Sequence, residues 1–423
     1  MERFGLDFGT TNTSLAWAQG EGLPRLCVLD PPAPDPHVLR TLLYYSLEQR
    51  GFVVGQRAID EYLAEDMAGT LIQSIKTFLG SESFEETWIQ DRAYTLEGLV
   101  AVALRHVHAA IRTLTTDDVL LVMGRPAVYI AQTARERLAR DRLRRAAALA
   151  GFGEVSFEYE PIAAGLAYEA SLARPELALI ADFGGGTSDF TVMRLGTGTR
   201  GDRRADILAT AGVQIGGDTF DARIMAARLA PHFGAGTTYR SMEGRDLPFP
   251  SHLLERLGHW HEIPFLRGRK TRELLGRLQW ASSAPDAVAR LRALVDGNLG
   301  FFLFEAIERA KSRLSSAADA RIAFHADGID VDERLTRADF ETLIAPDLAR
   351  VERCMHDVLA TARVDVRNVQ AVFVTGGSAQ IPAVRAMLIR AFGAERLRAQ
   401  DYLTSVAQGL GLTARDGVRV SEI

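Results

Sequence analysis

The stretch GLDFGTTNTSLAW, residues 5–17, ends an apolar run at Asp7 and continues into a polar turn of five residues, GTTNT. A hairpin needs only about two turn residues. A carboxylate at the end of a buried strand, beside glycine and threonine, suits a hydrated Mg²⁺, while the N–H and hydroxyl groups of such a turn can surround phosphate oxygens. Asp7 is therefore a candidate metal residue, and the candidate phosphate-binding residues are Gly9, Thr10, Thr11 and Asn12. The alternative is an ordinary hairpin, because Asp-Gly pairs are common in turns.

A second stretch, ADFGGGTSDFTV at residues 181–192, repeats this pattern. Setting Asp182 on Asp7 also aligns Phe183 with Phe8, at an offset of 175 residues. The match predicts two related lobes, each of which opens with an acid, a turn and a hairpin, although two hairpins could share these residues by chance. Two facing turns would clamp one polyphosphate, and the second turn offers Asp182, Gly184, Gly185, Gly186 and Thr187.

A third glycine-rich site, TGGSAQIPAV at residues 375–384, reads as a strand, a tight turn and a helix started by Pro382. The N-terminus of such a helix can face an anion or a ribose; the alternative is a plain turn between a strand and a helix. The chain contains no G-x-x-x-x-G-K-[ST] motif and no G-x-G-x-x-G that opens a helix, which excludes the P-loop and Rossmann patterns.

Composition limits the remaining classes. A chain of 423 residues suggests two to four domains, and 47% hydrophobic with 24% charged residues is ordinary for a globular protein. The net charge of -5 gives no general attraction to nucleic acid or to an anionic membrane. Cys27 and Cys354 have no partners at metal-ligand spacing. We expect a cytoplasmic protein without a signal segment, a membrane partner or a nucleic-acid partner.

The spacing of the hydrophobic residues predicts strands and helices that alternate along the chain, as in an α/β protein. Short strands are expected at 4–8 and 13–18, a helix at about 56–78, and alternating helices and strands from residue 97 onward. The stretch AFHADGIDV is expected to form one strand. Residues 231–300 are rich in Arg, His and Pro and give no clear pattern.

Taken in order, these segments resemble the nucleotide-binding domain of the heat shock protein 70, or DnaK-type, family within the actin-like ATPase superfamily. GLDFGTTNTS is similar to the family's first phosphate loop, YEPIAAGLAY to its first connecting segment, ADFGGGTSDFTV to its second phosphate loop and TGGSAQIPAV to its adenosine loop. GGDTFDARI (216–224) and IERAKSRLSS (307–316) also resemble family segments.

The resemblance implies an actin-like α/β fold with two related, ribonuclease H-like lobes around a nucleotide cleft, each with a smaller subdomain. The predicted domains are lobe I at 1–174, lobe II at 175–400 with a subdomain insertion at about 217–300, and a C-terminal helix and tail at 401–423.

The resemblance also implies ATP or ADP with Mg²⁺ as ligands. Asp7, Glu160 and Asp182 would hold the metal through water, and the implied catalytic residues are Lys76, Glu160, Asp182 and Thr187. Without the resemblance, Lys76 would be taken as a surface lysine. The implied adenosine-side residues are Gly216, Gly217, Asp218, Glu308, Lys311, Ser312, Ser315, Gly376, Gly377, Ser378 and Gln380.

Two departures from the family pattern stand out. Ser312 and Gln380 occupy the positions of two family arginines that sandwich the adenine, which predicts weaker nucleotide binding or a changed base preference. The chain ends at RDGVRVSEI, shortly after the expected last helix, where family chaperones continue into a peptide-binding domain. We therefore expect a protein similar to the short YegD-type DnaK-like members, with no peptide-binding domain.

The expected function is Mg²⁺-dependent ATP binding with slow hydrolysis, coupled to rotation of the lobes, in a chaperone whose protein partners are clients or cochaperones. The alternatives are a nucleotide-sensing scaffold with little turnover, an actin-fold kinase of a small metabolite, and a filament-forming actin relative.

Two charged stretches are set aside. The arginine-rich run ARERLARDRLRRAAALAG, residues 134–151, is expected to form a solvated helix face, with an acidic-partner site as the alternative. The HWH triplet at 259–261 is expected to be structural, with a metal pair on a strand as the alternative.

Overall fold

The computed structural model describes residues 1–82, 84, 86–127, 133–153, 155–196, 203–258, 263, 266–399 and 404–417. The chain divides into two compact units. The first unit comprises Met1–Gly217, Ala349–Gln380 and Val384–Ile423, and the second comprises Asp218–Leu348 and Ile381–Ala383. Within the described ranges, every helix is too short or too polar to cross a lipid bilayer.

The N-terminal part of the first unit alternates strands and helices. In chain order it contains β1 (Glu2–Phe8), β2 (Asn12–Trp17), β3 (Arg25–Leu26), β4 (Val38–Arg40), β5 (Leu42–Ser46), β6 (Gly51–Val54), α1 (Gln56–Ala64), β7 (Thr70–Gln73), a 3-10 helix (Ile75–Phe78), β8 (Glu86–Ile89), β9 (Arg92–Thr95), α2 (Leu96–Leu114), β10 (Val119–Arg125), α3 (Thr133–Leu149), β11 (Val155–Tyr159) and α4 (Glu160–Glu169).

The rest of the chain continues the alternation. It contains β12 (Glu176–Phe183), β13 (Ser188–Leu195), β14 (Ile207–Val213), α5 (Gly217–Ile224), β15 (Thr238–Arg240), β16 (Asp246–Pro248), α6 (Ser251–Leu257), α7 (Arg269–Ala281), α8 (Pro285–Asp296), α9 (Gly300–Leu314), β17 (Asp319–Ala326), β18 (Ile329–Thr336), α10 (Arg337–Thr361), β19 (Ala371–Thr375), a 3-10 helix (Gly377–Gln380), α11 (Pro382–Phe392), β20 (Leu397–Ala399) and α12 (Ser405–Asp416). The predicted α/β class is confirmed.

Two sheets of the first unit have the same strand order. One sheet runs β3-β2-β1-β10-β11, with β4 added beside β2, and the other runs β14-β13-β12-β19-β20. In each, the central strand pairs antiparallel with its hairpin partner and parallel with a strand that returns from a helix. Asp7 lies opposite Ser14, and Asp182 lies opposite Asp189, so the strand registers also match at the offset of 175 residues.

The connecting helices α4 and α12 approach each other and the sheets through glycine. A Cβ atom on Gly409 of α12 would lie 1.7 Å from the carbonyl oxygen of Ala163 in α4. A Cβ atom on Gly5 of β1 would lie 2.1 Å from the backbone nitrogen of Gly411. Real Cβ contacts are never this short, so only glycine permits these crossings. The helices therefore pack backbone to backbone.

Buried apolar side chains hold each sheet against its helices. Phe4, Leu6 and Leu15 of the first sheet belong to a cluster with buried residues of α2, and Ile180 and Met193 of the second belong to a cluster with residues of α4 and α12. Burial of one such side chain contributes about 1.5–3 kcal/mol to stability. The cores fix the strands, and the strand ends carry the turns of interest.

The predicted helix at 56–78 is confirmed at its start, Gln56, and is wrong in its length. The structure ends α1 at Ala64, because Asp66 and Met67 have φ angles of 47° and 60°, which do not continue a right-handed helix. Thr70–Gln73 instead pairs with β5 as strand β7. The predicted strand AFHADGIDV is likewise two strands, β17 and β18, joined at a turn where Gly328 has a φ of 74°.

The second unit contains the hairpins β15-β16 and β17-β18 together with helices α6 to α9. Part of the region that gave no clear pattern is therefore helical. The HWH triplet at 259–261 lies outside the described residues.

Candidate functional site

The two hairpin turns close in the same way. The N–H of Gly9 donates to the carbonyl oxygen of Asn12 over 2.9 Å, and the N–H of Gly184 donates to that of Thr187, also over 2.9 Å. A Cβ atom on Gly186 would lie 3.3 Å from Oγ1 of Thr10, so the two turns adjoin. The structure thus places the two predicted phosphate turns face to face.

A cavity of about 120 Å³ lies between these turns. The predicted site residues that line it are Asp7, Gly9, Thr10, Thr11, Asn12, Lys76, Glu160, Asp182, Gly184, Gly185, Gly186, Thr187, Gly376 and Gly377. Thr77, Pro126, Gln214 and Val406 also line it, and the sequence did not single them out. All of these residues belong to the first unit.

Lys76 and Glu160 form a buried ion pair in this cavity. The Lys76 Nζ atom lies 2.5 Å from Oε1 of Glu160. Burial by itself would lower the pKa of Lys76, but the carboxylates of Glu160 and Asp7 outweigh burial and hold that pKa above its ordinary value. Lys76 is therefore an ammonium at neutral pH, a fixed cation in a place with little water. Its sequence context alone had suggested a surface residue.

The carboxylates of the cavity outnumber this cation. Burial, followed by repulsion from Glu160, raises the pKa of Asp7 well above its ordinary value and raises that of Asp182 to about 8. A divalent cation would relieve this repulsion. Among the described residues, no group of three or more His, Cys, Asp or Glu side chains is placed to ligate one metal directly. The carboxylates of Asp7, Glu160 and Asp182 that line the cavity are oxygen donors of the kind that Mg²⁺ prefers.

Asp189 is a buried carboxylate that the sequence reading missed. Its Oδ2 atom accepts a hydrogen bond of 2.6 Å from the Thr187 hydroxyl, and burial raises its pKa to about 7. The signal was present, because Asp189 lies directly opposite Asp182 in the hairpin. Extending the repeat by strand register would have found it.

The other glycine-rich segments of the first unit converge on Gly184. Its carbonyl oxygen accepts a hydrogen bond of 3.0 Å from the Ser378 hydroxyl and one of 3.1 Å from the N–H of Gly217. Gly376 has a φ of 83°, and a Cβ atom there would lie 2.2 Å from the carbonyl oxygen of Phe183. The residues of the predicted adenosine loop are therefore tied to the second predicted phosphate turn. Gly216 also packs against this turn, and Gln380 ends the 3-10 helix that follows Gly376.

The remaining predicted residues belong to the second unit. Lys311 Nζ lies 2.6 Å from Oδ2 of Asp221, and burial raises the pKa of Asp221 to about 6. Burial, followed by repulsion from Asp221, raises the pKa of Asp218 to about 7. Glu308 adds to this repulsion. Ser312 lies on α9 and Ser315 directly follows it, on the helix that carries Lys311. Asp221 was not among the predicted site residues.

Known proteins resemble this chain over most of its length. The sequence profile of the Hsp70 protein family matches residues 53–238 and 301–417. The chaperone protein DnaK of Deinococcus deserti is 26% identical over 405 residues, which are 90% of this chain and 54% of that protein. Those of Thermosipho africanus and Thermosipho melanesiensis are 24% and 23% identical over 418 residues, 97% of this chain and 58% of each relative.

The chain spans somewhat more than half the length of these curated relatives. The family profile nevertheless covers well over half of the chain, including β10, α4 and the second hairpin. Its match agrees with the repeated strand order of the two sheets. The chain belongs to the Hsp70 family and has the actin-like α/β fold.

Proposed function

We propose that the first unit binds ATP or ADP with Mg²⁺ and slowly hydrolyses ATP. The observation that carries this proposal is the cavity in which the Lys76–Glu160 pair lies with Asp7 and Asp182 between two facing glycine-rich turns. Phosphoryl transfer to water asks little covalent chemistry of a protein and depends mainly on charge neutralisation and positioning. A buried ammonium and backbone N–H groups supply both.

Each residue has a distinct task in this proposal. The N–H and hydroxyl groups of Thr10, Thr11 and Thr187 bind phosphate oxygens, and Lys76 neutralises charge on the terminal phosphate. Asp7, Glu160 and Asp182 would hold Mg²⁺ through water, and the ion would supply positive charge that offsets the negative charge of the phosphates.

The adenosine end remains a proposal built on the family pattern. Gly376, Gly377 and Ser378 of the first unit would contact the nucleoside. The family pattern separately implies adenosine contacts for Glu308 and Lys311. Ser312 and Gln380 offer no cation to stack on a base. We expect ATP to bind with micromolar rather than submicromolar affinity; a titration that gave submicromolar affinity would contradict this.

The lysine content of the chain allows a direct test. Of 49 lysines and arginines only three are lysines, Lys76, Lys270 and Lys311. An acyl-phosphate derivative of ATP transfers its acyl group to a lysine beside the phosphates. We expect it to label Lys76 and to spare the exposed Lys270, with labelling suppressed by excess Mg²⁺-ATP. Equal labelling of Lys76 and Lys270 would contradict the proposal.

A second candidate function is nucleotide sensing with little turnover, favoured by Ser312 and Gln380. Single-turnover hydrolysis of bound ATP distinguishes the two functions. Release of phosphate that requires Mg²⁺ and Lys76 supports the ATPase, and bound ATP that stays intact supports the sensor. Phosphate transfer to an added small metabolite would instead support a kinase.

We further propose that nucleotide state controls binding of a client or cochaperone, because the curated relatives are named as chaperones. Suppression of the aggregation of a denatured test protein should differ between ATP and ADP, and the Lys76→Ala variant should lose that difference. The predicted likeness to YegD-type members, the cytoplasmic location and the domain boundaries stay predictions.

A further inference from the structure

Arg142, on helix α3, is a buried arginine within the run expected to form a solvated face. Its neighbours fit the expectation better, since the side chains of Arg144 and Arg145 are 53% and 59% exposed. Arg142 is 6% exposed. Burying a guanidinium is costly unless its donors are satisfied. The hydrogen-bond partners of Arg142 explain why it is buried although its neighbours Arg144 and Arg145 are exposed.

The guanidinium of Arg142 donates to four backbone carbonyl oxygens of one segment. Nη1 bonds the oxygens of Phe78, Leu79 and Ser81 over 3.1, 3.1 and 2.8 Å, and Nη2 bonds that of Phe84 over 2.6 Å. Glu97 lies 3.9 Å from Nε and supplies the countercharge. The planar guanidinium of an arginine carries five N–H donors and can bond several carbonyl oxygens of one segment at once. A lysine ammonium has only three donors, on a flexible stem.

This segment is the continuation of the 3-10 helix that carries Lys76. The helix ends at Phe78, which is the first residue whose carbonyl Arg142 binds. At its other end, the buried Ser74 has a φ of 56°, an unusual conformation for a residue with a side chain. Such a backbone persists only when its surroundings hold it. The hydrogen bonds of Arg142 lie at the opposite end of this short helix from Ser74.

We propose that Arg142 is a positioning residue for Lys76. By fixing the carbonyl groups after the 3-10 helix, it keeps the Lys76 ammonium 2.5 Å from Glu160 and inside the cavity. Its part in catalysis rests on the proposed ATPase function, but its structural action does not. The two can be measured separately.

The first measurement needs no nucleotide. In the nucleotide-free protein, the rate of acetylation of Lys76 by a small amine reagent is compared with that of the exposed Lys270, using mass spectrometry. We expect Arg142→Met to raise the Lys76 rate at least tenfold and Arg142→Lys to raise it less, with the Lys270 rate unchanged. Hydrogen exchange of the amides of residues 77–82 should accelerate in the same order, while that of β12 stays constant.

The second measurement concerns turnover. Arg142→Met should lower the single-turnover hydrolysis rate about tenfold and change ADP affinity less than threefold, because Lys76 acts on the terminal phosphate. Arg145→Met is the matched control: Arg145 lies on the same helix and bonds Glu97 over 2.7 Å, and within the described part of the chain it donates to none of the four carbonyl groups. It should leave both measurements unchanged.

The outcomes separate the two proposals. If the wild-type protein hydrolyses no ATP, the proposed function fails, and the acetylation rate still decides the role of Arg142. If Arg142→Met and Arg142→Lys leave Lys76 as protected as in the wild-type protein, the positioning role is overturned. It is also overturned if exchange accelerates equally in β12, because Arg142 would then only stabilise the fold.

Discussion

The two predicted phosphate turns close with the same backbone hydrogen bond and differ in their side chains. Each closes with a hydrogen bond of 2.9 Å between residues three apart, Gly9 to Asn12 and Gly184 to Thr187. The first turn carries hydroxyl and amide side chains, whereas the second carries glycines at 185 and 186. Opposite the strand aspartate, the first hairpin has Ser14 and the second has Asp189.

The difference shows that the sequence specifies the register of the strands and the charge of the cavity at separate positions. Register follows from the hydrophobic pattern of the strands, because a slip of one residue would move every side chain to the opposite face of its sheet. The charge of the site depends on single positions, such as Ser14 and Asp189, which can differ between the two hairpins without changing their register. The first half thus contributes the cation Lys76, and the second contributes the additional buried acid Asp189.

The largest expected effect tests whether hydrolysis depends on Lys76, the cation that the N-terminal half of the chain contributes to the cavity. Lys76→Ala should lower single-turnover ATP hydrolysis by about a hundredfold, the usual loss for one charge-stabilising group in a closed site. Gln214→Ala, which removes a pocket side chain contributed by the second sheet, should lower it less than fivefold.

Stability must be measured beside turnover in this experiment. Removing Lys76 leaves Glu160 buried without its ammonium partner, which costs about 3–5 kcal/mol of unfolding free energy. The rate is therefore expressed per folded molecule, with the folded fraction taken from circular dichroism. Equal rates for the two variants would show that the cation has no special role.

The second test concerns the two closing glycines. A Cβ atom on Gly9 would lie 2.2 Å from the carbonyl oxygen of Asn12, whereas one on Gly184 would lie 3.4 Å from that of Thr187. Gly9→Ala should therefore lower the free energy of unfolding by about 2–3 kcal/mol, and Gly184→Ala by less than about 1 kcal/mol. Denaturant titration of both variants checks this, and a reversed order would contradict the difference between the turns.

The third test uses pH. The pKa values of Asp182 and Asp189 are raised from 3.8 to about 8 and about 7, so the folded protein without nucleotide holds protons that the unfolded chain releases. Stability from a raised carboxyl pKa is present at low pH and is lost as pH rises through the folded value. The melting temperature in EDTA should fall by about 2–4 °C between pH 6 and pH 8.5 from these groups.

Asp189→Asn should make this slope shallower, and saturating Mg²⁺-ADP should do the same, because a bound cation stabilises the ionised carboxylates. Ser14→Ala, the matched change in the first hairpin, should leave the slope as it is. A slope that is unaffected by Asp189→Asn would show that the acid pair of the second half does not titrate in this range.

The smallest effect concerns the tie between the adenosine loop and the second turn. Ser378→Ala removes the hydroxyl that donates to the Gly184 carbonyl oxygen over 3.0 Å, a loss of about 1 kcal/mol. ADP should bind about fivefold more weakly, as measured by calorimetry. An unchanged affinity would show that the N–H of Gly217 alone holds this carbonyl.

The sequence predicted the parts of the site that are local. The α/β class, the two turns and their offset of 175 residues follow from short stretches whose turn chemistry is readable. Each assigned role still stays a prediction. Burial was harder to foresee, because it depends on partners far along the chain. Without the family resemblance Lys76 would be taken as a surface lysine, because its partner Glu160 lies 84 residues away in the sequence.

The errors have the same cause. Residues 70–73 have a pattern compatible with a helix, but pairing with β5 makes them a strand. Arg142 belongs to a run of arginines that is expected to face solvent, and the carbonyl groups of Phe78, Leu79, Ser81 and Phe84 explain its burial. Propensity is a weak prior where tertiary pairing competes with it.

The crossing of α4 and α12 has a mechanical consequence. Their contact at Gly409 is made with main-chain atoms of Ala163, so a change of side-chain rotamer cannot alter this contact. Helix α4 begins at Glu160, and α12 also leans on Gly5, two residues before Asp7. We expect the crossing to be rigid. A sub-ångström movement of α12 would then displace the carboxylates of both Glu160 and Asp7.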